Sequence, residues 1–325
     1  MEFSKKEIHT SVLTQSKYSQ ITVDDDFTIP DSKGDMEKIV AKEGHILLES
    51  VPGLAKTTAA KVMTDAVNGE FSRIQCTPDL LPGDIIGTQI YNAATNTFEN
   101  KLGPVYANFV LLDEVNRSSA KTQSAMLEAM QEHAVSIGGT TYNMPEVFVV
   151  IATQNPVEQE GTYMLSEAQM DRFLLKVNLT YPDAASEMEI LNRIEADIFS
   201  ESHAVASLDD IVFLQKLCKK VYMDPAIKKY IVDIVQASRM TDRILPPELS
   251  QYISMGASTR AAIAFMDVAK AVALANGRVY CIPDDVKMMR YSVLRHRIML
   301  NFAAVADGIS EETIIDAIIG AVKTP

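Results

Sequence analysis

Residues 45–58 read HILLESVPGLAKTT, a short apolar run, a loop of small residues and the opening of a helical pattern. The run HILLE (45–49) predicts a strand, and a helix is expected from about Thr57 to Val67. A loop between strand and helix can curl its backbone N–H groups around phosphate oxygens. A lysine and a hydroxyl at its end then reach the β/γ-phosphates and a magnesium ion. Gly53, Lys56 and Thr57 meet those needs. The strict pattern G-x-x-x-x-G-K-[ST] is not met, because Ser50 and Ala55 stand where glycines are expected. Both are small, so the loop can still close on a phosphate. Taken alone, the segment reads equally well as an ordinary strand–turn–helix corner.

Outward from this stretch, short apolar runs alternate with helical patterns. FSRIQ (71–75) and YANFVLL (106–112) precede a helix over about Ala120 to Glu132; VFVVIAT (147–153), a short helix near 165–172 and FLLKVNL (173–179) follow. Alternation of this kind predicts an α/β fold, a parallel sheet covered by helices. Two inserts alternate residue by residue instead. Gln89 to Glu99 straddle an Ala-Thr-Asn turn, and Ala134 to Tyr142 straddle Gly138-Gly139, which predicts hairpins. After Tyr181-Pro182-Asp183 the strands are expected to stop. Helices are expected at about 184–198, 207–219, 224–239, 259–276, 283–300 and 310–322, an all-helical C-terminal domain. The organisation expected is an N-terminal extension over 1–35, an α/β core over 36–183 and a helical domain over 184–325.

Three further features weigh on the phosphate reading. YANFVLLDEVNR ends a buried strand with Asp113 and Glu114 side by side. A carboxylate at the strand's C-terminal edge can hold hydrated magnesium while its neighbour polarises water. Two solvated acids at a strand end are common, but this pair follows Lys56 by one strand and one insert, the layout of P-loop ATPases. In VVIATQNP, Asn155 ends the next strand, where an amide can orient the attacking water; Gln154 is the alternative, and a lone Asn before Pro is ordinarily a turn. Arg172 in EAQMDRF and Arg260 in MGASTRAAIAF each read alone as surface cations at helix ends. Beside the other features they suit stabilisation of a transferring γ-phosphate.

Composition narrows the field. The chain has 325 residues, 47% of them hydrophobic and 22% charged, enough for two ordinary domains. No apolar run reaches the roughly 18 residues of a membrane span, and MEFSKKEIHT shows no secretory pattern. Cys76, Cys218 and Cys281 are scattered, which suits reduced thiols in a cytoplasmic protein rather than a disulfide or metal cluster. A net charge of −13 repels nucleic-acid phosphate, so no nucleic-acid partner is expected.

SVPGLAKT, TPDLLPGDIIGT, LLDEVNR, KTQSAMLEAMQE, IATQNPVEQEGTY, SEAQMDRF and GASTRA occur in order over about 44–265. Together they resemble the signature blocks of the MoxR family of AAA+ ATPases. The resemblance implies a P-loop NTPase core with an all-helical lid, binding ATP with Mg2+. The nucleotide loop would be Ser50, Val51, Pro52, Gly53, Leu54, Ala55, Lys56, Thr57 and Thr58, with Lys56 catalytic. Thr57 and Asp113 would hold the metal, Glu114 would activate water and Asn155 would be sensor 1. Arg172 would be the arginine finger acting on a neighbour's nucleotide, with Arg117 as its rival, and Arg260 sensor 2. Residues 86–103 would be the helix-2 insert and 134–142 the hairpin before sensor 1. The family implies a homo-oligomeric, hexameric ring that remodels or assembles client proteins, often with a partner carrying a von Willebrand factor A domain. The family's Val-Gly-Gln near the adenine has no counterpart in residues 21–43, and Thr259 stands where proline is usual. A P-loop kinase and a nucleotide-binding scaffold without turnover are the competing readings. A kinase needs neither two such arginines nor two inserted hairpins. A scaffold would not need Lys56, Thr57, Asp113, Glu114, Asn155, Arg172 and Arg260 all intact.

Overall fold

The computed structural model describes residues 2–3, 29–30, 44–50, 56–155, 163–196 and 204–325. Val51 to Ala55 of the expected phosphate loop, most of the N-terminal extension and most of the 21–43 segment lie outside the described residues. Residues 2–3 and 29–30 pair antiparallel. The described chain forms two compact units. One comprises residues 45–166 and 177–211; the other comprises 167–176, 212–325 and the described residues before 45.

The first unit is built on a five-stranded sheet. Its elements are β1 (Ile46–Ser50), α1 (Lys56–Ala66), β2 (Phe71–Gln75), the hairpin β3 (Gly87–Asn92) and β4 (Thr97–Leu102), then β5 (Phe109–Asp113) and α2 (Ala120–Glu132). A second hairpin, β6 (Ala134–Ile137) and β7 (Thr140–Asn143), leads to β8 (Val149–Gln154), β9 (Leu175–Leu179) and α3 (Ala184–Glu195). The sheet order is β9-β1-β8-β5-β2. β8 pairs in parallel with β1 and with β5, and β5 in parallel with β2. Phe109 to Leu112 and the whole of β8 are buried, as expected of a sheet covered on both faces.

Two buried polar side chains stitch the starts of these strands. Asn108 accepts from the N–H of Glu70 (3.0 Å) and donates to the carbonyl of Val147 (3.0 Å), joining the approaches to β2, β5 and β8. His45 accepts at Nδ1 from the N–H of Val150 (3.0 Å), so its proton sits on Nε2, facing the carbonyl of Met130 (3.1 Å).

The two hairpins lock together. Gly138 and Gly139 both take positive φ, +55° and +81°, as a two-residue hairpin turn demands. Asn100 of β4 donates to the carbonyl of Ile137 (2.9 Å) and to the Tyr142 hydroxyl (3.1 Å). A Cβ on Gly138 would press against the Gln89 side-chain amide. On β3 and β4, Tyr91 and Phe98 stand exposed with ring centroids 5.3 Å apart.

The second unit is mainly helical: α4 (Leu208–Lys220, its first residues belonging to the sheet unit), α5 (Pro225–Ala237), α6 (Thr259–Ala275) and α7 (Glu311–Ala321). Ile227, Tyr230, Ile231 and Ile234 bury one face of α5, and Ala261, Ala264, Phe265 and Val268 one face of α6. Two expectations need correction here. Strands do not end at 183: β10 (Ile253–Met255) pairs antiparallel with β11 (Met299–Leu300). The single helix expected over 283–300 is two short helices, Pro283–Met288 and Arg290–Leu294, separated at Met289 (φ −98°, ψ 6°), followed by a turn into β11. Strands of two or three residues are too short to show alternation, and apolar spacing continues across the break. Residues 241–244, 247–250 and 302–306 add short helices that the pattern does not announce.

Burial, opposed by the Met130 hydrogen bond and reinforced by the nearby His133, holds the His45 pKa down to about 4. The unfolded chain takes that proton from about pH 6.5 downward. Stability is therefore full above 6.5 and lost as pH falls from there to about 4, by about 3 kcal/mol from this group. Urea midpoints measured between pH 7.5 and 4.5 should fall accordingly, and a His45→Gln chain should show a shallower slope over the same range.

Candidate nucleotide site

Parallel pairing decides which side chains meet. Gln154 lies opposite Glu49, Gln75 opposite Asp113, and Ala152 opposite both Leu47 and Leu112. Ser50, Asp113 with Glu114, and Asn155 therefore stand together at the C-terminal edge, where open α/β sheets hold ligands. Lys56 and Thr57 begin α1, both half-buried, and Thr58 is exposed. The first N–H groups of this helix have no partner within it, which favours an anion there.

A single hydroxyl organises the acidic pair. Thr153 Oγ1 donates to Asp113 Oδ1 (2.8 Å) and accepts the backbone N–H of Glu114 (2.8 Å). Arg73 Nη2 donates to the other Asp113 oxygen at 2.6 Å. Burial alone would raise the Asp113 carboxyl. The hydrogen bonds from Arg73 and Thr153 and the charges of Arg73 and Lys56 outweigh it and hold the group below its ordinary range. Asp113 is thus ionised at neutral pH, with the Lys56 charge within its field.

Glu114 adopts left-handed backbone geometry, φ 58° and ψ 52°. That costs a non-glycine residue about 1–3 kcal/mol and requires surrounding contacts to fix it. Those contacts are the Thr153 bond and, at Oε2, donors from Arg117 (3.0 Å) and Gln75 (3.3 Å). Behind the turn, Gln123 of α2 donates to the carbonyls of Val115 (3.2 Å), Ser118 (3.2 Å) and Tyr163 (2.8 Å). Asn155 and Gln154 are both buried, and Gln154 Oε1 has no hydrogen-bond partner among the described residues.

Arg172 and Arg260 belong to the helical unit. Arg172 is exposed and forms no ion pair with a described residue. Arg260 follows the N-cap Ser258 on α6 and lies 3.4 Å from Asp171 Oδ2. Cys76, Cys218 and Cys281 are buried free thiols; burial, the largest influence on Cys76 and Cys281, pushes both up to about 12.

Arg73, Thr153 and Gln123 are missed by sequence reasoning. Arg73 is the one charge in FSRIQ and Thr153 the one polar residue in VFVVIAT, signals that mark them as unusual without naming their partners.

A parallel sheet with a lysine–threonine helix start, an acidic pair ending one strand and an amide ending the next is the layout of a P-loop ATPase. Residues 45–175 match the family model described as "ATPase family associated with various cellular activities (AAA)", and residues 249–318 match the AAA lid domain. The chain is 46% identical to the chaperone MoxR1 of Mycobacterium tuberculosis, over 87% of this chain and 75% of that one. It is 44% identical to the uncharacterized protein YeaC of Bacillus subtilis, over 87% and 86%. A crystal structure from Cytophaga hutchinsonii, described as that of a candidate ATPase, superposes with a TM-score of 0.83 at 48% identity, covering 89% of this chain and 88% of that one. The chain belongs to the MoxR family of AAA ATPases, whose activity is ATP hydrolysis.

Replacing Thr153 by valine keeps its shape but leaves the Glu114 N–H without its acceptor, a loss of about 1–3 kcal/mol. Thr153→Val should melt earlier and release phosphate from ATP more slowly than wild type, whereas Thr153→Ser should retain both properties.

Proposed function

We propose that this chain uses ATP hydrolysis to remodel or assemble client proteins in the manner of a chaperone, working in the cytoplasm as a homo-oligomeric ring, hexameric by analogy. The observation that carries the proposal is the convergence of Lys56, Asp113 and Glu114 at one sheet edge, with Thr153 fixing the acidic pair. In this reading residues 36–183 are the catalytic core and 184–325 the lid.

Ser50 to Thr58 would wrap the triphosphate, with Lys56 drawing charge from the β/γ-phosphates. Among the described residues no three His, Cys, Asp or Glu side chains group to hold a metal on their own. One ionised carboxylate with one hydroxyl fits Mg2+, which keeps waters and takes phosphate oxygens for its remaining ligands. Asp113 and Thr57 would hold it, and its contribution is to neutralise charge developing on the phosphates. Glu114, aimed by its left-handed backbone, takes the proton of the attacking water, and Asn155 or Gln154 orients that water. Arg260 reads the chain's own nucleotide. Arg172, exposed and without an ion pair among the described residues, serves a neighbour's site.

Exposed apolar surface supports the assembly part of the reading. Met188, Leu191 and Ile194 on α3 are 59%, 60% and 54% exposed, the kind of face that protein contacts cover. The name chaperone borne by the mycobacterial relative supports the client part. The acidic net charge argues against nucleic acid as the client. No helix among the described residues is long and apolar enough to cross a membrane. A partner with a von Willebrand factor A domain completes the proposal.

Glu114→Gln should keep ATP affinity and lose turnover by about 10²–10⁴-fold; hydrolysis at the wild-type rate would falsify the base assignment. Arg172→Ala should lose about 10³–10⁵-fold, as fingers do in related P-loop enzymes. Mixing it with Lys56→Ala protein should restore turnover, because each supplies what the other lacks. The same mixture with Arg117→Ala ranks the two candidate fingers. Full activity from dilute monomer would exclude the ring.

A further inference from the structure

A single buried guanidinium grips the peptide on both sides of Arg172. Arg297 is 5% exposed. Its Nη2 donates to the carbonyls of Asp171 (3.3 Å) and Phe173 (2.7 Å), the residues flanking Arg172. Its Nη1 donates to the carbonyls of Leu174 (3.2 Å) and Val293 (2.6 Å), and its Nε to Asp171 Oδ1 (2.9 Å). His296 Nε2 adds a contact with the Phe173 carbonyl at 3.1 Å. The other Asp171 oxygen receives the Ser258 hydroxyl (2.7 Å) and Arg260 (3.4 Å). Asp171 thus links the clamped peptide to the start of α6.

Desolvation makes this arrangement expensive. Burial lowers the Arg297 pKa, the Asp171 hydrogen bond and charge oppose it, and the Arg260 charge works with the burial. A buried guanidinium is tolerated only where its donors find acceptors, so its position and that of the groups it bonds fix one another. Arg297 directs four of its five hydrogen bonds to Asp171, Phe173 and Leu174, the residues around Arg172. A cavity of about 290 Å³ borders the same node, lined by Glu167, Asp171, Gly256, Ser258 and Arg297 among others.

We propose that Arg297 is a positioning residue for ATP turnover, holding the peptide that presents Arg172 to a neighbouring subunit, with Asp171 as the link to Arg260. The proposal rests on the reading of Arg172 as a finger acting in trans. Lysine keeps the charge but not the planar fork that bonds several carbonyls at once. Full-length Arg297→Lys should therefore bind ATP normally and turn it over at least tenfold more slowly.

The decisive readout is rescue between subunits, which a general structural defect would not produce. Adding Lys56→Ala protein, whose own site is dead but whose Arg172 is correctly held, should raise turnover by Arg297→Lys as it does for Arg172→Ala. No rescue of Arg297→Lys, with Arg172→Ala rescued in parallel, overturns the proposal and leaves the finger standing. Failure of Arg172→Ala to be rescued overturns the finger, and the positioning role falls with it. Should Arg297→Lys not fold, Arg297→Gln supplies the test: it keeps amide donors for the carbonyls and leaves Asp171 with Ser258 and Arg260, and rescue by Lys56→Ala is again the expected result, its absence the refuting one.

Discussion

β1, β8 and β5 come from distant parts of the chain, yet they run side by side in one direction. Hydrogen-bond geometry then leaves their last residues at a common edge. Every catalytic arrangement in the sheet unit follows from this register. A one-residue slip of β8 would turn Thr153 away from Asp113 and leave the Glu114 N–H unanswered. The fold guards against slippage at the opposite edge. There Asn108 and His45, both buried, tie strand starts together with bonds that only one register satisfies. The starts are fixed by polar stitching, the middles by apolar burial, and the ends are left for chemistry.

At those ends electrostatics works against burial. Asp113 would be driven toward its neutral form by its surroundings, and Arg73, Thr153 and Lys56 together keep it charged. Glu114 sits in a backbone region that few non-glycine residues occupy, and the Thr153 hydroxyl, with Arg117 and Gln75 on its side chain, keeps it there. Strain of this kind persists only where something else pins it. The same division recurs in the helical unit, where Asp171 answers a buried arginine on one oxygen and an exposed arginine on the other.

Much of this was legible in the sequence because it is written locally. FSRIQ and the helix from Ala120 to Glu132 take the bounds their patterns predict, and Gly138-Gly139 marks its turn through a conformation that suits glycine. The α/β core and helical remainder could be read because buried strands are uniformly apolar and helices repeat near every third or fourth residue. What could not be read is written at a distance. Arg73 meets Asp113, Thr153 meets Glu114, and Arg297 meets Phe173 across gaps that carry no periodic signal. The interrupted stretch from Pro283 to Leu300 deceived for the converse reason. Its apolar spacing runs on while the backbone turns at Met289 and again before β11.

The interlocked hairpins have a consequence for how this scaffold can be altered. Asn100 reaches the turn of the second ribbon, and the bare Cα of Gly138 is what lets Gln89 lie against it. Neither ribbon is an interchangeable module. A chimera that imports one of them from a relative keeps this junction when it brings positions 100 and 138 together, since Asn100 bonds the carbonyl just before the glycine turn.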